Sequence, residues 1–273
     1  MSNLGDIELH GAQQDMLHDW RNLFESMSDQ IETFEAGEAP TIAFEVDYEK
    51  IASVSRLQSS LTNWPGDCIE LGGIVLSEQF RVYNHNSRPI LRITNFPANF
   101  NHELESLRMR DRSKIITAQV KVKKTREYMG WLKTATYTCS RCQEKVIIKQ
   151  RLGRNRESPL RCRPCFNEIL KHMKNETDIA EFFHFPWSFD FDQELCTYQD
   201  IQYLEVEQKS QSKNAQFSMT SLVREEMVGL FHGGDVLNVA GIVRIDHMPK
   251  RNFEKDTRRI LYLDIIQASK VDL

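Results

Sequence analysis

The spacing of apolar residues predicts helices in the first third of the chain. Between residues 16 and 31 they recur every three or four positions, which places them on one face of an amphipathic helix. Weaker helical patterns cover residues 51–61 and 68–80, and the sequence Trp64-Pro65-Gly66-Asp67 separates them. The pattern therefore predicts a helical subdomain over residues 1–106.

From residue 90 the period changes to two, which is typical of β-strands. The clearest strand covers residues 116–123, where apolar residues alternate with threonine, glutamine and lysine. Two more strands are expected at residues 236–243 and 260–266, and the basic segment between them predicts an extended hairpin. These strands can form a small barrel, so the pattern predicts an α+β protein with several subdomains.

An alternating aromatic row begins at residue 183 and ends at residue 191. In a strand these rings would share one face. Such a face either fills the core of a small barrel or stacks the bases of a single nucleic-acid strand. The sequence leaves both interpretations open for Phe183, Phe185, Trp187, Phe189 and Phe191.

Charge is distributed unevenly along the 273 residues. Residues 108–174 carry 19 Lys/Arg and 5 Asp/Glu, whereas residues 1–107 carry 6 and 17, and the whole chain has a formal charge of −4. A strongly basic block between acidic flanks is typical of a polyanion site. The alternative is that the block only neutralises its flanks.

Two Cys-x2-Cys pairs, separated by 19 residues, give the strongest site signal. Cys139, Cys142, Cys162 and Cys165 are predicted to bind Zn²⁺ through four thiolates, which leaves no open coordination position and indicates a structural role. A redox pair would need a βαβ setting and no second pair. Disulfides do not suit the intracellular location expected from the absence of a secretory signal or membrane span.

No motif indicates catalysis. The sequence has no Gly-x4-Gly-Lys-Ser/Thr loop for nucleotide phosphates and no His-Glu-x2-His zinc-protease motif. The chain is therefore not expected to be an enzyme, and closed coordination by four cysteines argues against zinc catalysis.

In order, several segments resemble the N-terminal region of the minichromosome maintenance (MCM) family. Residues 46–48, 57–61 and 64–65 resemble its helical subdomain, and the cysteine pairs resemble its zinc ribbon. The sequence RMRDRSKIITAQVKVKK at residues 108–124 resembles its first barrel strand. Two later motifs complete the resemblance, YQDIQYLE at residues 198–205 and GDV followed by V and GIV at residues 234–243.

The resemblance implies an N-terminal helical bundle followed by an OB-fold β-barrel with an inserted four-cysteine zinc ribbon. The helical subdomain would cover residues 1–106. The barrel would combine residues 107–136 and 183–273, and residues 137–182 would form the ribbon with an extra helix.

The resemblance also implies binding of single- or double-stranded DNA, in a ring or complex with MCM-like subunits, one of which carries an ATPase domain. A nuclear location and a role in DNA replication or meiotic recombination follow from it. The predicted DNA contacts lie on the basic strand and on the hairpin: Lys121, Lys123, Lys124, Arg126, Lys250, Arg251, Lys255, Arg258 and Arg259. The alternative is an adaptor whose barrel and ribbon dock an acidic protein.

Three features depart from the family. Phe166 stands where a glycine usually follows the second cysteine pair, and the loop near residues 209–220 lacks glycine, proline and arginine. The sequence also ends where the ATPase domain would begin. The chain is therefore either an excised fragment or a natural stand-alone protein. With these departures it resembles the half-length MCM-like subunits of insect meiotic complexes, for which ATP hydrolysis would come from a partner chain.

Overall fold

The computed structural model describes residues 11–34, 40–83, 85, 87–172, 187–209, 216–247 and 258–271. The chain divides into two compact units: unit 1 joins the residues up to Tyr128 with those from Gln202 onward, and unit 2 is Met129–Ile201. The helices are α1 Gly11–Glu25, α2 Ser28–Glu32, α3 Tyr48–Ala52, α4 Ser55–Asn63, α5 Pro65–Val82 and α6 Arg163–His172. The strands are β1 Thr41–Asp47, β2 Arg88–Thr94, β3 Ile115–Cys139, β4 Lys145–Lys149, β5 Phe189–Lys209, β6 Gln216–Arg224, β7 Val236–His247 and β8 Arg259–Lys270.

The first part of unit 1 combines helices α1–α5 with a pair of strands. The apolar face of α1 is buried, with Trp20 and Phe24 fully inaccessible and stacked at 5.2 Å. Strands β1 and β2 pair in parallel, from Thr41 opposite Arg88 to Asp47 opposite Thr94. The expectation of a wholly helical segment is therefore wrong at β1, where Phe44 and Val46 alternate with polar or half-buried positions and pack as a strand.

Helix α5 begins at Pro65, which suits the first helical turn because proline has no N–H to leave unpaired. The helix interior contains two glycines, Gly72 and Gly73, and packing requires a glycine at only one of them. A Cβ at Gly72 would lie 2.7 Å from both Leu91 Cδ2 and Trp20 Cε2, whereas Gly73 has open space. Gly72 therefore permits close approach of α5 to α1 and β2.

Strands β3, β5, β6, β8 and β7 form a closed barrel in unit 1, because each pairs with the next and β7 pairs back to β3. Ile116, Val120 and Val122 point into its core, as their alternation predicts. The β7–β8 hairpin is also confirmed, with His247 opposite Arg259. It carries a bulge at Ala240/Gly241, where a Cβ on Gly241 would lie 2.7 Å from the Leu263 side chain.

Unit 2 contains the remaining parts of β3 and β5, together with β4 and α6. β4 pairs antiparallel with β3, from Thr134 opposite Lys149 to Thr138 opposite Lys145. The extra helix, expected over residues 166–179, begins earlier as α6, at Arg163 between the two cysteines of the second pair, and its described residues end at His172. Three cysteines form the buried centre of this unit.

Candidate metal centre and nucleic-acid interface

The first cysteine pair lies in a tight turn that joins β3 to β4. The backbone N–H of Cys139 donates to Glu144 O at 2.9 Å, and that of Gln143 donates to Cys139 O at 2.9 Å. Gln143 adopts a left-handed conformation with φ of 62°, which reverses the chain just after Cys142. The turn thereby places the sulfur atoms of Cys139 and Cys142 beside each other.

The second pair lies at the start of α6. Cys162 immediately precedes the helix, Cys165 is in its first turn, and Phe166 N–H donates to Cys162 O at 2.9 Å. Phe166 is therefore a helical residue and has no positive φ. A helix in place of a second turn explains why this chain needs no glycine after Cys165, since only a left-handed residue would favour one.

The four cysteine sulfurs lie within 4.8 Å of one another. The Sγ atoms of Cys139 and Cys165 are 3.9 Å apart, and those of Cys142 and Cys162 are 3.4 Å apart. A tetrahedron with Zn–S bonds of about 2.3 Å has sulfur–sulfur edges of about 3.8 Å. The spacing thus fits a tetrahedral thiolate site and is far longer than the ~2.05 Å of a disulfide bond.

The pKa values of Cys165 and Cys139 shift in opposite directions within the cluster. Burial and the neighbouring sulfurs raise the pKa of Cys165 to about 12. At Cys139 burial disfavours the thiolate, but hydrogen bonds from the backbone of Cys142 and Arg141 bring the pKa to about 7. Ionisation of Cys165 is therefore disfavoured unless a positive charge lies beside it, and a bound metal ion would supply that charge.

Aromatic side chains surround the cysteines. Trp187 and Phe189 pack against the buried Cys139, Cys162 and Cys165. Phe191 lies against Tyr137, with ring centroids 5.6 Å apart. None of these three rings belongs to the described barrel core, so the barrel-core interpretation is wrong for them. Trp187 and Phe189 cover the four-cysteine cluster instead. Phe183 and Phe185 lie outside the described residues.

The two remaining cysteines stand apart from this centre. Cys68 is fully buried in unit 1, and burial raises the pKa of its thiol to about 12. Cys196 is half-buried and its Sγ donates to Asp192 O at 3.1 Å. Within the described ranges the four clustered cysteines are the one group of metal-ligand residues brought together. No helix in the described part of the chain is long and apolar enough to span a membrane.

The predicted DNA-contact residues of β3 are divided between two faces. Lys121 and Lys123 alternate with the buried Val122, so they point away from the barrel core. Lys124 and Arg126 lie on the same side of the strand as Val122, but both are exposed. The four cations therefore do not form a single row along the strand.

Lys123 has an acidic neighbour on the adjacent strand. Its Nζ lies 2.9 Å from Glu205 Oε1 and 3.4 Å from Ser218 Oγ. The hydrogen bond to Glu205 raises the pKa of Lys123. This pairing joins residues 82 positions apart, and the sequence pattern of β3 alone gives no sign of it. The charge of Lys123 is thus partly neutralised by Glu205, which the sequence of β3 alone does not predict.

The hairpin cations are described only in part. Arg258 is exposed and Arg259 begins β8. Lys250, Arg251 and Lys255 lie outside the described residues. The two strands of the basic hairpin, β7 and β8, are therefore part of the barrel, and the DNA contacts of the hairpin cations stay a prediction.

Two comparisons relate this architecture to known proteins. Residues 103–247, more than half of the chain, match the family model described as the MCM OB domain. A solved structure described as "1.8 Angstrom Crystal Structure of the N-terminal Domain of an Archaeal MCM" covers 95% of this chain and 100% of its own, with a TM-score of 0.71 and 20% identity. This likeness establishes the fold. No curated protein matches the sequence.

Proposed function

Because the chain belongs to the MCM OB domain family, we propose that it is a DNA-binding, non-catalytic subunit of an MCM-like ring or complex. The observation that carries the proposal is the basic block, residues 108–174 with 19 Lys/Arg and 5 Asp/Glu, part of which lies on an OB barrel strand. OB barrels bind single strands by combining a positive groove with stacking side chains.

Binding of this kind would depend mainly on phosphates. Lys121, Lys124 and Arg126 are exposed on β3, and Arg258 and Arg259 lie near the hairpin. Together with Lys123, Lys250, Arg251 and Lys255 they would neutralise the backbone of single- or double-stranded DNA and release counterions. Lysine and arginine contacts of this type position DNA without reading its sequence.

The four-cysteine centre is proposed to hold one structural Zn²⁺. The sulfur spacing and the aromatic side chains that cover the cluster support this assignment. A tetrahedral site filled by four thiolates offers no position for a substrate or water. The ion would stabilise unit 2, and any ATP hydrolysis would come from a partner chain with an ATPase domain.

We further propose the division into a helical subdomain (1–106), an OB barrel (107–136 and 183–273) and a zinc ribbon (137–182). The assembly would act in the nucleus, in DNA replication or in meiotic recombination. Purification of the complex from native cells, followed by mass spectrometry, tests whether an MCM-like chain with an ATPase domain accompanies it in near-equal amount.

One observation favours the adaptor function as a second candidate. Lys123 is engaged with Glu205, so the outer face of the barrel is mixed in charge rather than uniformly basic. A barrel of that kind would dock an acidic protein through matched charges that set specificity and association rate.

Charge reversal separates the two candidates. We expect the triple variant Lys121→Glu, Lys124→Glu, Arg126→Glu to weaken binding to a labelled oligonucleotide by at least about tenfold and to flatten its salt dependence. The matched control is Arg81→Glu, Arg110→Glu, Lys171→Glu, which reverses three exposed charges elsewhere. DNA binding that responds equally to both triples, or to neither, would overturn the proposed DNA interface and favour the adaptor.

A further inference from the structure

An irregular loop of unit 2, residues 151–162, joins β4 to α6. Ser158 lies in this loop with its side chain exposed, and its two sequence neighbours are half-buried. Modifying enzymes bind several consecutive residues around their target, so an exposed hydroxyl outside helices and strands suits them best. The contacts and the sequence around Ser158 show which kind of enzyme it fits.

Three hydrogen bonds hold the loop directly before Ser158. Glu157 N–H donates to Gln150 Oε1 at 2.7 Å, and Glu157 O accepts from Gln150 Nε2 at 3.0 Å and from the Tyr137 hydroxyl at 2.8 Å. Gln150 and Tyr137 are both buried. This anchor fixes the backbone at Glu157, and the next residue, Ser158, is exposed while unit 2 is folded.

The sequence from Ser158 to Arg161 is Ser-Pro-Leu-Arg. Of the eight prolines in the chain, Pro159 is the one that follows a serine or a threonine. Proline has no backbone N–H, so an enzyme pocket without a hydrogen-bond acceptor admits it and leaves the N–H of any other residue unpaired. Proline also disfavours the helical conformation for the residue before it, which keeps Ser158 extended.

Arg161 supplies a positive charge three residues after Ser158. It is exposed, and its guanidinium carbon lies 4.1 Å from the centre of the Phe166 ring. Stacking on a ring uses the face of the guanidinium, and the N–H donors lie at its edge. Arg161 is thereby held in place and can still donate charge-assisted hydrogen bonds to an acidic group of an enzyme.

We propose that Ser158 is a phosphorylation site for a proline-directed protein kinase that also recognises a basic residue three positions after the serine. In this reaction Ser158 Oγ forms a bond to the γ-phosphorus of ATP, and the bond between that phosphorus and the oxygen of the departing ADP breaks. The hydroxyl proton passes to the catalytic carboxylate of the kinase. Pro159 and Arg161 select the kinase, because charge pattern and pocket shape set the specificity of such enzymes.

A phosphate on Ser158 would enter a basic environment. Residues 151–163 contain 5 Arg and 1 Glu, and Arg151 Nε lies 3.1 Å from Glu157 Oε1, beside the modified residue. Phosphoserine adds a charge of about −1.5 to −2, which would cancel a large part of the positive charge of the loop. Weaker DNA binding by the basic block would follow, and this consequence rests on the function proposed above.

The test incubates the zinc-loaded full chain with a purified cyclin-dependent kinase and its cyclin, Mg²⁺ and ATP labelled at the γ-phosphate. Mass spectrometry then locates the phosphate. We expect about one phosphate per chain, on Ser158. Ser158→Ala should lower the incorporation at least about tenfold, and Ser158→Thr, which keeps a hydroxyl, should retain it.

Variants of the neighbouring residues test the recognition. Pro159→Ala should lower kcat/KM of the kinase at least about tenfold, and Arg161→Ala about threefold to tenfold. Arg154→Ala is the matched control, since Arg154 is an exposed arginine of the same loop, and it should change kcat/KM less than about twofold. Zinc content and the thermal transition check that every variant folds.

The proposal is wrong if the zinc-loaded chain takes up no phosphate, if the phosphate lies on another residue, or if it is taken up only after the metal is removed. It is also wrong if Pro159→Ala and Arg161→Ala are modified as fast as the Arg154→Ala control.

DNA affinity of the phosphorylated and untreated chains is measured separately, with kinase-treated Ser158→Ala as the control. We expect phosphorylation to weaken binding to a labelled oligonucleotide at least about threefold. Phosphate on Ser158 with unchanged DNA affinity would support the phosphorylation site and contradict a role of this loop in DNA binding.

Discussion

The barrel and the cysteine-centred unit are stabilised in different ways. Among the residues that the structure describes, the barrel core contains seventeen buried apolar residues, thirteen on the barrel strands and four on the segments beside them. In the described part of unit 2, the apolar cluster consists of three cysteines with Trp187 and Phe189 packed against them, and few other apolar side chains, such as Ala135 and Tyr137, are buried. A core of that size cannot offset the conformational entropy of the ~70 residues in unit 2 through apolar burial alone. The barrel is therefore expected to depend on packing, and unit 2 on metal ligation.

Metal removal has the largest expected effect, and it tests directly whether unit 2 depends on metal ligation while the barrel does not. Chelation, or Cys162→Ser, should abolish ordered structure in unit 2, because structural zinc contributes on the order of 10 kcal/mol to such folds. Hydrogen–deuterium exchange should show protection lost over residues 129–201 and retained in the barrel strands. Cys196→Ser is the control, since this thiol lies outside the cluster. If unit 2 kept full protection after metal removal, its stability would not depend on metal ligation.

A cavity in the barrel core should destabilise unit 1 and leave the metal content of unit 2 unchanged. Leu263 is fully buried, and Leu263→Ala is expected to lower the free energy of unfolding of unit 1 by about 2–5 kcal/mol without changing zinc content. Leu160 is 91% exposed in unit 2, and Leu160→Ala should change stability by less than about 0.5 kcal/mol. Denaturant unfolding with parallel metal analysis measures both. Zinc loss in the Leu263 variant would show that the two units do not unfold separately.

Two adjacent glycines of α5 test how tightly unit 1 is packed. Gly72→Ala forces a methyl group to 2.7 Å from Leu91 and Trp20 side-chain atoms, which should cost about 1–3 kcal/mol. Gly73→Ala meets no atom within 4 Å and should stabilise by up to about 1 kcal/mol through helix propensity. Thermal unfolding of the two variants gives the result. Equal melting temperatures would mean that this interface is loosely packed.

The smallest effect concerns a helix cap in unit 1, far in sequence from the cysteines. Asp47 accepts hydrogen bonds from Asn95 Nδ2 at 2.6 Å and Glu49 N–H at 2.8 Å, which lower its pKa. Because the folded pKa is lowered, its contribution is present above the unfolded value of about 3.9 and is lost as pH falls through the folded pKa. Asp47→Ala should cost about 1 kcal/mol at neutral pH and less in acid. A cost that is constant with pH would contradict the role of the carboxylate.

Local patterns in the sequence predicted much of this structure. The alternation from Ile116 to Val122 predicted the barrel face, and the spacing of the two cysteine pairs predicted that the four cysteines lie together, because a strand period and a ligand spacing are local properties. Strand β1 was missed because its alternation is short and its pairing partner, β2, lies about forty residues away.

Contacts between distant segments could not be predicted in the same way. Trp187 and Phe189 alternate like barrel residues, yet they cover the cysteines because this segment, at and just before the start of β5, belongs to unit 2. The partner of Lys123 is another example, since Glu205 becomes its neighbour only when β3 and β5 pair. A basic residue in a sequence therefore does not reveal how much of its charge is available to a ligand.

Strands β3 and β5 each cross the boundary between the two units, and they are neighbours in the sheet. The chain leaves unit 1 after Tyr128 and returns at Gln202 on the adjacent strand. The 73 residues of unit 2 therefore connect two adjacent barrel strands, in the position that a hairpin loop would occupy. Segments joined in this manner can lengthen, shorten or be exchanged in evolution while the strand register of their host is preserved.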